Sequence, residues 1–244
     1  MIPEKTKEQP FPLQSYYSRI YRTYDLVNRL FTLGFDKKWR SRTIKECLAL
    51  NPRKILDLCC GTGDLAIGLC SNAPKGTYVA GYDLNNEMLG IARSKAENLN
   101  VSPDFIQGDA AVLPFKDEVF DCITIGFGFR NLTWENPARD NHILEMRRVL
   151  KKGGALFILE SGKPDNRLLA RLYSLYLRYA LVPIGGMVSG HWKAYRYLAG
   201  SAKGFYSLTE LRNLMQQFGF DLSLKQKFFF GSANLMVAFK LADV

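Results

Sequence analysis

The sequence predicts an α/β fold organised as a doubly wound sheet, and three observations carry that prediction. A short apolar run passes through an acid and a glycine turn into a helical pattern in Lys54-Ile-Leu-Asp-Leu-Cys-Cys-Gly-Thr-Gly-Asp-Leu-Ala66. A second strand pattern closes on another acid, Asp83. Strand-like and helical stretches then alternate up to a fifth strand at Ala155-Leu-Phe-Ile-Leu159, the order that yields a parallel sheet with helices on its faces. With 244 residues, 47% of them apolar and 23% charged, the chain can form one sizeable core and has a soluble globular composition, so one domain with embellishments is predicted.

The chain begins with a polar, proline-punctuated stretch, 1–12, read as a flexible lead-in without the features of a signal peptide. No uncharged apolar run is long enough to span a bilayer, so any membrane contact is expected to be peripheral. Ile20, Tyr24, Val27 and Phe31 recur at helical spacing over 16–31, and Leu33-Gly34-Phe35 interrupts them. A second helix over 37–50 places Ile44, Cys47 and Leu48 on one face before Asn51-Pro52 ends it. Both helices precede the first strand and are expected to cap the site at its end.

Ile55, Leu56 and Leu58 form that strand. Gly61 and Gly63 remove side chains where the backbone turns tightly and a ligand approaches, while the helix starting at Asp64 offers unpaired amides. This geometry suits a nucleotide-like cofactor. The spacing Gly61-x-Gly63-x-x-Ala66 also satisfies the dinucleotide fingerprint, so the glycines leave NAD and S-adenosylmethionine open. Asp57 inside the strand's end and Asp83 closing the next strand tilt the choice to S-adenosylmethionine, because together they look like the first motif of the class I methyltransferases.

The second strand is expected over 77–82, followed by a helix over 86–99. Asp83 is placed to take both hydroxyls of a ribose, and capping the helix is a second role compatible with the first. After a short strand at Phe105-Ile106, Asp109 could accept from an adenine amino group while the Ala110 amide donates to the ring, or serve as a turn aspartate. The fourth strand, Phe120-Asp-Cys-Ile-Thr-Ile125, runs into the loop Gly126-Phe-Gly-Phe-Arg-Asn131 at the edge where such sheets place substrate contacts. A helix over 137–150 is expected to stop at Lys151-Lys152-Gly153-Gly154. An insertion beyond 163 interleaves Arg167, Arg171 and Arg178 with Leu168, Leu172, Tyr173 and Tyr176. It reads as a lid over substrate, an interfacial helix against lipid or plain core packing, with a hinge at Pro183-Ile-Gly-Gly186. Ser207 and Glu210 box the start of a helix carrying Leu208, Leu211, Leu214, Met215 and Phe218, and Gly219 stops it. Phe228-Phe-Phe230, Gly231-Ser232 and 235–239 suggest a terminal antiparallel hairpin.

Tyr24-Asp25-Leu26-Val27-Asn28, Asp57-Leu-Cys-Cys-Gly-Thr-Gly-Asp64, Leu113-Pro-Phe115, Phe127-Gly-Phe-Arg-Asn131 and Tyr195-Arg-Tyr-Leu198 occur in the order seen in the UbiE/MenG family. Over nearly its whole length the sequence resembles these C-methyltransferases of ubiquinone and menaquinone biosynthesis. The resemblance implies a Rossmann-like class I S-adenosylmethionine-dependent methyltransferase in one domain: cap helices over 1–50, a cofactor-binding core over 51–162, a helical lid over 163–205, and a C-terminal helix and hairpin over 206–244. It implies cofactor contacts by Asp57, Gly61, Thr62, Gly63, Asp83, Leu84, Asp109, Ala110 and Gly126. At Gly126, where the family commonly has serine, only a backbone contact is open. Arg130 would stabilise a quinol oxygen and Asn131 would orient it or a water, with Tyr195 a further substrate-side residue. His191, inside the lid, is a candidate base by its intrinsic pKa, whereas His142 shares a helical face with Met146 and Val149 and reads as packing. The family's C-terminal histidine is replaced by Leu235-Met236-Val237, so no base is assigned there.

The reaction implied is C-methylation of a polyprenylated quinol, demethylmenaquinol to menaquinol, with the 2-polyprenyl-6-methoxy-1,4-benzoquinol step of ubiquinone synthesis open beside it. A cytoplasmic site is expected, with the inner membrane face, a peripheral membrane contact and a homodimer left open. Two other classes compete. The formal charge of +10 would suit a nucleic-acid methyltransferase or merely a solvated basic surface. No Asn/Asp-Pro-Pro-aromatic motif and no Pro-Cys nucleophile is present, so no nucleic-acid partner is expected. A non-enzymatic cofactor-binding scaffold stays open, because a site does not prove turnover. A nicotinamide dehydrogenase would need a second substrate domain after the sheet. Cys47, Cys59, Cys60, Cys70 and Cys122 have neither metal spacing nor an even framework, which suits a reducing compartment.

Overall fold

The computed structural model describes residues 13–162, 164 and 166–242, with side chains from Tyr17 onward; the lead-in over 1–12 lies outside the described residues. Helices α1 (Leu13–Phe31) and α2 (Phe35–Leu48) come first. The strands are β1 (Lys54–Leu58), β2 (Tyr78–Asp83), β3 (Asp104–Gln107), β4 (Phe120–Gly126), β5 (Leu150–Ser161), β6 (Phe220–Phe228) and β7 (Ala233–Lys240). Among the described residues they form a seven-stranded sheet in the order β3-β2-β1-β4-β5-β7-β6. β1 to β5 pair in parallel, and β7 is antiparallel to both β5 and β6. The chain steps outward from β1 to β3 and returns on the other side at β4. The crevice beyond the carboxyl ends of β1 and β4 is therefore the topological switch point, where sheets of this kind bind ligands.

The intervening helices are α3 (Asp64–Asn72), α4 (Asn86–Asn98), α5 (Phe129–Thr133) and α6 (Arg139–Val149). The insertion, called the lid after the sequence reading, consists of α7 (Arg167–Tyr176), a π turn (Leu177–Leu181), α8 (Val182–Ser189) and α9 (Trp192–Gly204), and α10 (Leu208–Gln217) precedes the final hairpin. Successive strand residues point to opposite faces, and β1 supplies both cores. Ile55 packs with Cys47, Ala66 and Leu69 under α2 and α3. Leu56 and Leu58 join Ile143, Met146, Leu211 and Met215 under α6 and α10. The Ser207–Glu210 capping box forms as predicted, and Gly219 turns out of α10 at φ +72°.

Three elements depart from the sequence reading. The helix expected over 137–150 ends at Val149, and Leu150 already pairs with Phe120, so Lys151 to Gly154 belong to β5. Lys151 spends its charge on Asp121 at 2.7 Å across the sheet rather than on a helix end. The loop after β4 contains a helical turn, α5. Pro183 does not break the lid: the chain stays helical from α7 through the π turn into α8, whose first turn holds the proline. A Cβ on Gly185 would lie 2.4 Å from the Tyr195 ring and one on Gly186 2.5 Å from Trp192. The glycine pair thus lets α8 and α9 pack closely, and the chain turns at Gly190, φ +74°.

No helix among the described residues is long and apolar enough to cross a membrane. No cluster of potential metal ligands occurs among them, and the five cysteines are free.

Candidate functional site

Two strand ends meet at the switch point, and each turns through the left-handed region on a residue with a side chain: Cys59 at φ +55° after β1 and Phe127 at φ +61° after β4. Such conformations cost of order 1–3 kcal/mol and persist only where the surroundings fix them. Gly63, at φ +81°, brings the turn so close to α4 that a Cβ would lie 2.8 Å from that of Ala92. Asp83 at the end of β2 accepts from the amides of Gly61 at 2.8 Å and Asn85 at 2.9 Å. Capping of α4 falls to Asn85, which accepts from the Met88 amide at 2.9 Å. Burial raises the Asp83 pKa above the usual carboxylate value. Leu84 and the Asp109 side chain stay exposed at the ends of β2 and β3, next to the buried Ala110. Asp109 also takes the turn role, accepting from Ala111 N at 2.9 Å.

Glycine turn, helix start, acid after β2 and acid after β3 form one edge that fits S-adenosylmethionine: donors at the turn, acceptors for ribose and adenine. Two expected contacts are redrawn. The Asp57 carboxylate is buried and spends both oxygens internally, on Ala66 N at 3.0 Å and the Thr124 hydroxyl at 2.7 Å. It ties β1, α3 and β4 together and positions the turn. Thr62 donates to Asp25 of α1 at 2.8 Å and accepts from Lys95 at 3.1 Å, which leaves its main chain for a ligand. At Gly126 a Cβ would lie 2.7 Å from the Leu65 Cδ1, so a serine there requires that side chain to rotate.

Burial pushes the Asp57 pKa up to about 7 despite its two hydrogen bonds. Between about pH 4 and 7 the folded chain then holds a proton that the unfolded chain has released, so stability falls as pH rises through this window. Asp57→Asn is expected to flatten that slope; chemical denaturation at pH 4.5 and 7.5 checks it, and an unchanged slope in the variant would place the titration elsewhere.

Beyond the crevice lies an apolar cavity of about 580 Å3 enclosed by α1, α2, the lid and the β6–β7 turn. Arg130 of α5 reaches it with 4% of its surface exposed. Fully buried Glu160, at the end of β5, fixes Arg130 twice, accepting from its amide at 3.0 Å and from Nη1 at 3.1 Å, and it also takes the Ser161 amide at 2.8 Å. Among the described residues the buried Arg130 Nε has no hydrogen-bond partner. The nearby carboxylate and the ring of tyrosines hold the guanidinium pKa up against the opposing effect of burial. Asn131 donates to the Tyr17 hydroxyl at 2.9 Å, joining α5 to α1. Arg40 pairs with Asp36 and lies over the Phe127 ring.

Of the four substrate-side candidates, Arg130 lines the cavity; Asn131 lies outside the lining and reaches it only through Tyr17, and the other two lie away from it. His191 precedes α9, with its amide bound to Ser189 Oγ at 3.1 Å, and it is absent from the cavity lining. Tyr195 is buried against Ile20 and Val27 of α1, where burial pushes its hydroxyl up to about 12. Its role is to pack lid against cap. His142 packs as expected, its Nδ1 2.8 Å from Leu132 O. Sequence reasoning missed Tyr17 and Glu160. The signal for Glu160 was a lone acid closing the wholly apolar run Ala155-Leu-Phe-Ile-Leu159 at the sheet's ligand-binding edge.

Residues 4–240 match the ubiE/COQ5 methyltransferase family. The chain is 40% identical to a demethylmenaquinone methyltransferase of Thermotoga maritima over 92% of its own length and 93% of that protein. Against the protein of the same name from Thermus thermophilus identity is 41%, over 84% and 91%. Among solved structures, the magnesium protoporphyrin IX methyltransferase of Synechocystis PCC 6803 with bound SAH superposes with a TM-score of 0.63 at 17% identity, over 93% of this chain and 98% of that one, a likeness of fold. The chain belongs to the ubiE/COQ5 methyltransferase family.

Proposed function

We propose that the chain is a single S-adenosylmethionine-dependent C-methyltransferase domain that converts demethylmenaquinol to menaquinol, with a polyprenyl benzoquinol as the second substrate to test. One observation carries the reading: a buried, carboxylate-anchored cation, Arg130, at the junction of the cofactor crevice and an apolar cavity. S-adenosylmethionine supplies the methyl as an electrophile. The chain's residues hold a quinol so that a ring carbon faces it, keep water out and stabilise the oxygen left negative when the hydroxyl loses its proton. As the new carbon–carbon bond forms the methyl–sulfur bond breaks, and the ring carbon then sheds its hydrogen as a proton. Arg130 is the cation for that oxygen, and Asn131 orients it.

The tail is taken to leave through the cavity mouth, whose rim exposes Leu33 (77%), Leu172 and Phe230 (73%). Phe229 and Phe230 occupy consecutive left-handed positions, φ +43° and +54°, at the hairpin turn. Exposed Lys37, Lys38 and Arg171 neighbour this rim in sequence. Apolar side chains beside basic ones suit a peripheral contact with an anionic bilayer, on the cytoplasmic face. The test measures labelled methyl transfer from S-adenosylmethionine to reduced demethylmenaquinone, a demethylated benzoquinol and bulk RNA in parallel. Label on a naphthoquinol is expected, and label on RNA alone would sink the reading. Leu33→Ser/Phe230→Ser is expected to lose sedimentation with phosphatidylglycerol vesicles while still methylating a short-tailed quinol. A protein-concentration-dependent mass without vesicles, abolished by the same pair, would assign the rim to a homodimer instead.

A further inference from the structure

We propose that Tyr17 of α1 is a catalytic residue, its hydroxyl donating a hydrogen bond to the same quinol oxygen that Arg130 stabilises, so that the N-terminal cap supplies half of the oxyanion site. The inference rests on the quinol reading above. Tyr17 lines the cavity beside Arg130. Its hydroxyl oxygen accepts from Asn131 Nδ2 at 2.9 Å, so one lone pair is occupied and its own proton is free to point elsewhere. The Tyr24 ring meets the Tyr17 ring edge-on at 5.8 Å and fixes its orientation. Burial, together with neighbouring Tyr24 and Tyr197, raises the hydroxyl's pKa well above that of an ordinary tyrosine, against the lowering effect of Arg130 and Asn131. Tyr17 therefore remains a neutral donor across the working range. Arg130 in turn faces Glu160 and Tyr173, so the groups bearing on the site come from α1, α5, β5, α7 and α9.

A cation and a neutral donor converging on one oxygen favour its deprotonated form and lower the pKa of the bound quinol. α1 also holds the cofactor side. Asp25 binds Thr62 and Lys95, the latter at 2.6 Å, and Asn85 donates to Ser18 at 2.7 Å. The helix that packs over the glycine turn is thus the one that carries Tyr17.

The test compares wild type with Tyr17→Phe, and with 3-fluorotyrosine at position 17, for kcat, KM, the pH profile of kcat, S-adenosylmethionine Kd and Tm. Tyr17→Phe is expected to lower kcat by about ten- to a hundredfold with the cofactor Kd within twofold of wild type. It should move the acid limb of kcat to higher pH, because loss of the donor raises the quinol pKa. Fluorotyrosine, a stronger donor that still accepts from Asn131, should move that limb to lower pH. A purely structural tyrosine would alter Tm or KM and leave the limb in place. Wild type active on a quinol with Tyr17→Phe equal in kcat and pH limb would overturn this inference alone. Wild type inactive on every quinol would overturn the function proposed above along with it.

Discussion

Replacing Arg130 by alanine is expected to lower turnover by about 10²–10³-fold, the usual cost of removing one donor to a developing oxyanion, while S-adenosylmethionine still binds as tightly as to wild type. The separation follows from position. Arg130 lies on α5, past the end of β4, whereas Asp83 and Asp109, the acids proposed for ribose and adenine, stand at the ends of β2 and β3. Its charge is oriented before substrate arrives, because Glu160 holds both its amide and its guanidinium. Lysine should rescue little: its ammonium is a compact point charge without the planar fork that engages Glu160 through Nη1 and still carries further donors. Isothermal titration with S-adenosylmethionine beside single-turnover methyl transfer reads the two effects separately. Full turnover in Arg130→Ala with cofactor binding intact would remove Arg130 from the mechanism.

How much of this was legible in the sequence depended on the range of each interaction. β1, its glycine turn and α3 were readable because the signal is local: Ile55, Leu56 and Leu58, then two glycines, then a helical run. The capping box of α10 was readable for the same reason. The start of β5 was misplaced because Lys151-Lys152-Gly153-Gly154 has good helix-stop chemistry; the pairing of Leu150 with Phe120 across thirty residues draws those four into the strand. Asp57 and Thr62 were read as ligand contacts since they sit in the motif, yet their partners, Thr124 and Asp25, come from other elements. Tyr195 lies in a family motif, and only the packing of α9 on α1 shows that it faces the cap. Tyr17 carries no local sign at all, since what makes it functional is a bond to a residue 114 positions away.

Glu160→Ala is expected to destabilise the fold by about 3–5 kcal/mol, because a buried guanidinium loses the carboxylate in direct contact with it. In a chain of this size that is a fall in Tm of roughly 6–20 °C, at about 2–4 °C per kcal/mol. The more informative variant is the double one, Arg130→Met/Glu160→Leu. Exchanging both members of a buried ion pair for apolar side chains of similar volume is commonly neutral or stabilising, but here it also strips the Arg130 and Ser161 amides of their acceptor, at about 1–3 kcal/mol for each buried donor. The double variant should therefore melt above Glu160→Ala, below wild type by the cost of those two amides, and yet transfer no methyl to a quinol. That pairing of outcomes distinguishes a charge kept for chemistry from one kept for the fold. If the double variant melts as low as Glu160→Ala, the Arg130–Glu160 pair is structural, and its position at the cavity wall reflects the need to anchor α5 to the end of β5. If it melts clearly above Glu160→Ala and is inactive, the charge pair itself adds little to stability, and the function of Arg130 is to meet the negative charge that forms in the cavity.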